Sequence, residues 1–309
     1  MHTILGAGGA VANALTRELS NHNETIRLVS RKPISNPDKN VSWKKADLLN
    51  YPELLEASRG SSVIYLTAGL VYDKNIWQQQ WPVIMQNVIN VAKETQARLI
   101  FFDNVYMYGL ANGPMTETTP YNPCSVKGEV RAGIATKLMD EAKAGNIRAS
   151  IARAADFYGT ENKNSFFDLM VLYNYSKKQK AQWLGNPEKL HNFSYIPDMG
   201  KGVYILGQNP ESDNQIWHMP TAQALPGKQL IEMAARVYKV EPKYFAINKF
   251  LLWSYGLFNK VVMGTVEMYY QYNHDYVFDS SKFEKAFNFT PASYEEGIKQ
   301  LSETLYKSL

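Results

Sequence analysis

The residues of this sequence that most clearly suggest chemistry form a glycine-rich turn near the N-terminus. The turn reads Gly6-Ala7-Gly8-Gly9-Ala10-Val11-Ala12 and directly follows an apolar run over residues 2–5. Glycine permits a tight turn and a close backbone approach to a ligand, and the amide groups at a helix start attract anions. A strand, a turn of this kind and a helix in that order predict a dinucleotide site. The residues expected around the phosphates are Gly6, Gly8, Gly9, Ala10 and Val11.

The residues after the next apolar runs indicate which dinucleotide is expected. An acidic residue after the second run would bind a free ribose 2′-hydroxyl, but the sequence there is Ser30-Arg31-Lys32. Two cations and a hydroxyl suit a 2′-phosphate, which favours NADP over NAD. Asp47 follows the third run, where its carboxylate could accept a hydrogen bond from the adenine amino group. Thr67, Ala68 and Gly69 end the fourth run and are small enough to form a wall against the cofactor.

Five segments, in order from residue 1 to about residue 207, resemble the extended short-chain dehydrogenase/reductase superfamily and its NAD-dependent epimerase/dehydratase group. They are Gly6-x-x-Gly9-x-x-Ala12, Asp47-Leu48, residues 102–109 (Phe-Asp-Asn-Val-Tyr-Met-Tyr-Gly), residues 153–159 (Arg-Ala-Ala-Asp-Phe-Tyr-Gly) and residues 191–198 (His-Asn-Phe-Ser-Tyr-Ile-Pro-Asp). The resemblance implies an NAD(P) cofactor with Leu48 beside Asp47 at the adenine. It also implies a homodimer formed by the helices at about 74–95 and 127–144.

The sequence departs from this family at the residues on which the family's chemistry depends. The family uses a Tyr-x-x-x-Lys pair, whereas this chain has Lys127 in the tyrosine place and Arg131 in the lysine place. Asn104 replaces a helper serine or threonine, and Asp156 replaces an asparagine on the substrate side. His191 stands where the family has an arginine for substrate phosphate. These changes indicate either altered chemistry or none.

The substituted residues still offer a chemical hypothesis. Lys127 could protonate or polarise a carbonyl oxygen while Arg131, one helical turn later, holds the nicotinamide ribose. Alternatively, both side chains only anchor the cofactor or lie on a solvated helix face. The phenol of Tyr158 could supply the missing acid, or it could simply pack. The expected catalytic residues are Lys127, Arg131, Asn104 and Tyr158, and those expected at the substrate are Asp156 and His191, with Lys127 also at the cofactor.

The elements that must position these residues follow from the apolar pattern. Continuous apolar runs are typical of strands buried on both faces of a parallel sheet, and helical spacing recurs between them. This alternation predicts an α/β Rossmann-type doubly wound parallel sheet over residues 1–155. A smaller, mostly helical substrate lobe is expected over residues 156–309, interleaved with the first part. The predicted strands cover residues 2–5, 26–30, 41–45, 63–67, 99–103 and 148–153.

Composition limits the classes of partner. The 309 residues carry a formal net charge of +4, which suggests neither nucleic-acid binding nor a strongly basic membrane arm. Cys124 is the single cysteine and the five histidines are scattered, so no metal site is expected and a reducing, cytoplasmic location is favoured. No apolar run is long enough to be a transmembrane segment.

Three functions remain open from the sequence. The first is an NAD(P)-dependent oxidoreductase or epimerase/dehydratase-like enzyme that acts on a sugar, a nucleotide-sugar or another carbonyl or alcohol through an atypical centre. The second is a non-catalytic NADP-binding sensor or assembly protein, favoured by the missing tyrosine. The third is a membrane-surface enzyme with an apolar substrate, because residues 241–280 contain 11 of the 39 aromatic residues. That excess fits core packing or a wall or lid for a bulky substrate.

Overall fold

The computed structural model describes residues 1–35, 38–159 and 165–307. Its strands are β1 (His2–Leu5), β2 (Ile26–Ser30), β3 (Val41–Lys45), β4 (Val63–Leu66), β5 (Arg98–Asp103), β6 (Ala149–Arg153), β7 (Asp156–Tyr158), β8 (Ala181–Leu184), β9 (Leu190–His191), β10 (Phe193–Tyr195), β11 (Ile216–His218), β12 (Leu225–Pro226) and β13 (Tyr244–Ile247). Its α-helices are α1 (Ala10–Asn21), α2 (Tyr51–Ser58), α3 (Lys74–Thr95), α4 (Val126–Lys143), α5 (Tyr173–Ser176), α6 (Ile196–Gln208), α7 (Gly227–Tyr238), α8 (Lys249–Gly256), α9 (Lys260–Val266), α10 (Ser281–Phe287) and α11 (Tyr294–Glu303).

A seven-stranded parallel sheet forms the centre, in the order β3-β2-β1-β4-β5-β6-β11. The register sets Ile4 beside Leu28 on one side and beside Tyr65 on the other. The predicted Rossmann-type fold is confirmed. The six predicted strands begin and end within one residue of the predicted limits. The inner strands are buried on both faces, which leaves little freedom in where pairing stops, whereas the edge strand β3 is largely exposed.

Helices cover both faces of the sheet, which explains why its inner strands are buried, whereas the edge strand β3 is largely exposed. On one face, α2, α3 and α4 pack on inward residues such as Leu66, Phe101 and Ile151. On the other face, α1, α6 and α10 pack on residues such as Ile4 and Ile100. The C-terminal ends of all the parallel strands therefore meet at one edge, where ligands of such folds bind.

The chain after residue 155 builds the helical lobe and also returns to the sheet. It contributes the seventh strand, β11, and helix α6, which packs closely on α1. A Cβ on Gly200 of α6 would lie 2.8 Å from the Cβ of Ala14, so glycine allows this contact. The lobe has its own core between α7, α11 and the strands β8 and β10. Among the described residues, no helix is both long and apolar enough to cross a membrane.

Candidate functional site

The glycine-rich turn has the backbone conformation that its sequence requires. Gly6 and Gly8 have positive φ angles of 84° and 95°, which residues with a Cβ adopt only under strain. Helix α1 begins at Ala10 with Gly9 as its N-cap, and no side chain caps its first amide groups. A Cβ on Gly6 would lie 2.4 Å from Cα of Ala68, at the end of β4. The turn and the 67–69 segment thus meet between β1 and β4, where the strand order reverses.

The basic turn after β2 lies beside this cradle. Arg31 and Lys32 are both exposed. Ile34 Cδ1 lies 3.2 Å from the position of a Cβ on Gly8, so the basic turn and the glycine turn are neighbours. The Ser30 hydroxyl donates to the Lys32 carbonyl at 2.6 Å and accepts from Trp43 Nε1 at 2.9 Å. Ser30 therefore shapes the basic turn in this structure.

The remaining residues expected at the cofactor line the same edge of the sheet. Asp47 Oδ1 accepts the Leu49 amide at 3.0 Å, and Leu48 packs against the core under α3. Thr67 donates its hydroxyl to the Leu5 carbonyl at 3.2 Å, which ties the fourth strand to the first. A Cβ on Gly69 would meet no atom within 4 Å, so this backbone borders open space. An uncapped helix start and an edge kept free of side chains fit a dinucleotide.

Lys127 is buried and its ammonium group is bound by the C-terminal lobe. Nζ donates to the Gly264 carbonyl at 2.7 Å and pairs with Glu267 Oε1 at 2.5 Å. It also lies 4.0 Å from the centroid of the Tyr72 ring. Burial lowers the pKa of Lys127, and the Glu267 carboxylate opposes that shift. Glu267 accepts the Val126 amide as well, so this carboxylate holds the start of α4.

Arg131 is directed into the interior, where it shares Asp103 with a second arginine. Its Nη1 lies 3.2 Å from Asp103 Oδ1, and Nη2 of Arg153 lies 3.5 Å from Asp103 Oδ2. The Arg131 guanidinium stacks 4.1 Å from the Trp81 ring centroid. All three charged side chains are buried. This Arg–Asp–Arg cluster joins β5, β6 and α4 below the site.

A chain of hydrogen bonds continues from the cluster to β11. Arg153 donates to the Tyr108 hydroxyl at 2.7 Å, and that hydroxyl lies 2.7 Å from His218 Nε2. His218 Nδ1 lies 2.8 Å from the Asp279 carbonyl and so carries the ring proton. Burial, with Arg153 nearby, lowers the pKa of His218 to about 3. The imidazole is therefore neutral, and Tyr108 donates to its free nitrogen.

Asn104 and Tyr158 occupy different places. The Asn104 side-chain oxygen accepts the Tyr106 amide at 3.1 Å and so shapes the turn after β5. Tyr158 is in the core of the lobe, where a Cβ on Gly297 would lie 2.3 Å from its hydroxyl. That hydroxyl has no hydrogen-bond partner within the described part of the chain. Burial raises the pKa of Tyr158 well above its ordinary value.

Asp156 and His191 are in direct contact, together with two tyrosines that the sequence pattern did not single out. His191 Nε2 lies 3.2 Å from Asp156 Oδ2, and Tyr272 donates to the same oxygen at 2.5 Å. The His191 ring is stacked between Tyr272 and Tyr276, with centroid distances of 4.9 and 4.5 Å. Burial and the Asp156 charge raise the pKa of Tyr272 well above its ordinary value, so this phenol stays protonated.

Further phenols surround this polar cluster. Tyr72 donates to the Tyr106 hydroxyl at 3.1 Å. Burial and then the charge of Asp156 raise the pKa of Tyr106. Tyr270 and Tyr276 line a cavity of about 270 Å³ beside residues 109–115. Both hydroxyls are buried; that of Tyr270 bonds with the Cys124 side chain, and that of Tyr276 with the Asp156 backbone. Such groups can orient a bound molecule, so this cavity is the candidate substrate pocket.

A family model decides the classification. It describes the NAD dependent epimerase/dehydratase family and matches residues 2–219. The chain belongs to this family. A curated relative, cinnamoyl-CoA reductase 1 from Petunia hybrida, is 32% identical over 119 residues. The matched segment covers 34% of this chain and 36% of the reductase, so the chain spans about a third of that relative's length.

Solved structures share the fold over the whole chain at low sequence identity. UDP-glucose 4-epimerase from Thermus thermophilus, solved in complex with NAD, has a TM-score of 0.78 at 13% identity and covers 100% of both chains. UDP-N-acetylglucosamine 4-epimerase from Bacillus cereus also has a TM-score of 0.78, at 12% identity, over 99% of this chain and 96% of the other. These structures establish the fold, and the family match shows that this chain belongs to an NAD(P)-dependent family.

Proposed function

We propose that the protein is an NADP-dependent oxidoreductase that acts on a carbonyl or alcohol through a proton donor other than the family's tyrosine. The hydrogen-bonded cluster of Asp156, His191 and Tyr272 beside an aromatic cavity is the observation that carries the proposal. It gathers titratable groups at the sheet edge where the family binds substrate.

Different residues would bind different parts of the cofactor. The amide groups at the start of α1, with Gly6, Gly8 and Gly9, would hold the pyrophosphate. Arg31 and Lys32 would bind the 2′-phosphate, and Asp47 and Leu48 would border the adenine. Bound NADP or NADPH accepts or supplies a hydride. Lys127 acts here as a positioning residue that, through Glu267, holds the C-terminal lobe against α4.

The proton would pass through the polar cluster. Tyr272 keeps its phenolic proton and donates a hydrogen bond to Asp156 Oδ2, and His191 Nε2 lies 3.2 Å from the same oxygen. A carbonyl oxygen in the pocket would receive a proton from this network as the hydride arrives. The His191 ring is buried between two tyrosine rings and its Nε2 contacts Asp156, so this side chain is not placed to clamp a diphosphate. This favours an aromatic or apolar carbonyl or alcohol over a nucleotide-sugar.

The catalytic role of Asp156 can be tested by Asp156→Asn. We expect kcat for NADPH-dependent reduction to fall about 100-fold or more, since general acid–base groups contribute factors of this size. The Kd for NADPH should stay unchanged because Asp156 is not placed at the cofactor. The measurement is loss of NADPH absorbance with a panel of aromatic and aliphatic aldehydes and ketones, alongside NADPH fluorescence titration.

A matched control is Tyr238→Phe. It removes a buried hydroxyl that lies outside the pocket and has no hydrogen-bond partner among the described residues. It should retain turnover. Tyr272→Phe should lower kcat as Asp156→Asn does. An Asp156→Asn protein with wild-type kcat on a turned-over substrate would remove the proposed role.

The choice of NADP can be tested by Arg31→Ala combined with Lys32→Ala. We expect the Kd for NADPH to rise at least about 100-fold, because each of the two charge-assisted hydrogen bonds contributes about 1.5–3 kcal/mol. The Kd for NADH should change less than twofold. Lys39→Ala, an exposed lysine of the same loop region, is the control. Equal weakening of both dinucleotides would contradict 2′-phosphate recognition.

A non-catalytic NADP-binding role is the second candidate. It is supported by the ion pairs that hold Lys127 and Arg131, because neither side chain is free to act on a ligand in this structure. NADPH binding with no turnover across the substrate panel would favour this role. Turnover that depends on Asp156 would exclude it.

The proposal also covers the division of the chain, its oligomeric state and its location in the cell. Residues 1–155 would bind the cofactor, and residues 156–309 would supply the substrate side together with β11. The homodimer would form through α3 and α4, as in the resemblance, and the lone Cys124 supports a cytoplasmic location.

A further inference from the structure

The most exposed apolar surface of the molecule is the hairpin of α8 and α9, residues 249–266, called here the aromatic hairpin. Phe258, at its tip, is 93% exposed, Phe250 is 73% exposed and Tyr255 is 67% exposed. Isolated exposed apolar residues are common, but a contiguous group of this kind marks an interaction surface. The other exposed apolar residues of the hairpin are Trp253, Leu257 and Val261.

The inner side of the aromatic hairpin is already used by the fold. Leu252 packs with Leu184 and Tyr272 in a small core, with Val262 and Val266 against it. The exposed positions 250, 253 and 257 of α8 and its turn follow helical spacing on the opposite side. A soluble helix would carry polar residues there, and packing among the described residues does not account for this second apolar side.

The charge within the hairpin is of one sign, and the acidic residues that border it, Glu241 and Glu267, are paired with Lys243 and Lys127. Residues 242–266 include three lysines and no aspartate or glutamate. Lys249 and Lys260 begin α8 and α9 and are exposed. Strand β13, which leads into the hairpin, pairs with β8 so that Tyr244 lies beside Ala181, directly after the exposed Lys180. Aromatic side chains with lysines at their border match the interface of an anionic lipid bilayer.

We propose that the aromatic hairpin docks onto the surface of an anionic phospholipid membrane. Phe258 projects almost wholly into solvent from a turn, which suits insertion among acyl chains better than a flat contact with a second copy of the chain. The lysines would contact lipid phosphates while the aromatic rings enter the interface. The docking surface adjoins the site, because Leu252 packs with Tyr272 and Gly264 of α9 accepts the Lys127 ammonium.

Flotation with vesicles tests this directly, without any substrate. The full-length protein should float with phosphatidylcholine vesicles containing about 30% phosphatidylglycerol, and at least about tenfold less with pure phosphatidylcholine. Raising the salt to about 1 M should release it, because exposed charges are then screened. Phe258→Ser with Trp253→Ser should lower the partition coefficient at least about tenfold. Lys249→Glu with Lys260→Glu should do the same on anionic vesicles.

The control is Leu305→Ser, an exposed apolar residue outside the hairpin, which should leave flotation unchanged. Sedimentation of each variant reports its oligomeric state. Wild-type protein that binds NADPH yet does not float with anionic vesicles would overturn the proposal. The proposal would also be overturned if wild type shows no lipid binding and the Phe258→Ser, Trp253→Ser variant changes from dimer to monomer. The hairpin would then be a protein interface. Because no step needs turnover, this outcome is separate from that of the proposed reaction.

Discussion

Replacing Asp103 by Asn is expected to lower the free energy of unfolding by about 3–5 kcal/mol. Asp103 is the shared carboxylate between the buried side chains of Arg131 and Arg153. Its removal leaves two guanidinium groups in the interior with no carboxylate within the Arg–Asp–Arg cluster. Water cannot reach them without opening the packing of α4 on the sheet. The measurement is urea unfolding followed by tryptophan fluorescence and circular dichroism.

The control for this loss is Glu141→Gln, which breaks an ion pair with Lys93 of similar geometry at the surface. Its N–O distance is 2.8 Å, but both side chains are partly exposed. Exposed pairs contribute about 0–1 kcal/mol, so Glu141→Gln should be nearly neutral. A loss below about 1 kcal/mol for Asp103→Asn would mean that the buried cluster is hydrated or that the arginines find other partners.

The sequence predicts the sheet well because its signal is local. Five of the six predicted strands are rich in apolar residues and largely buried on both faces, whereas β3 at the sheet edge is largely exposed. Strand β11 is different, since Ile216–His218 is only three residues long and gains its place from pairing with β6. A run this short has no pattern that separates it from a loop.

The site is only partly readable because its decisive contacts join distant residues. The glycine turn and the basic turn each consist of residues that are neighbours in the sequence, so the sequence alone predicts them. The structure brings the two turns together. Glu267 lies 140 residues after Lys127, and Tyr272 lies 116 residues after Asp156. The aromatic excess over residues 241–280 was the available signal. The structure divides it between the pocket, which has Tyr270 and Tyr276, the adjoining polar cluster with Tyr272, and the exposed hairpin.

Replacing Gly6 by Ala is expected to weaken NADPH binding at least about 100-fold, which corresponds to about 2.7 kcal/mol. Two effects combine at this position. The φ angle of 84° costs an L-residue about 1–2 kcal/mol, and the new Cβ would lie 2.4 Å from Cα of Ala68. Because that contact is with backbone, the turn must move away from β4. The amide groups that would face the pyrophosphate move with it.

Gly145→Ala separates these two effects. Gly145 also has a positive φ angle, 75°, but a Cβ there would meet no atom within 4 Å. It should therefore lose about 1 kcal/mol of stability through strain alone and bind NADPH normally. Fluorescence titration of NADPH and urea unfolding of both variants give the comparison. If Gly6→Ala lost stability like Gly145→Ala and kept its affinity for NADPH, the close approach of β1 and β4 would not shape the phosphate site. If Gly6→Ala folds but loses NADPH binding, the close approach of the ends of β1 and β4, more than glycine flexibility, makes this turn a dinucleotide site.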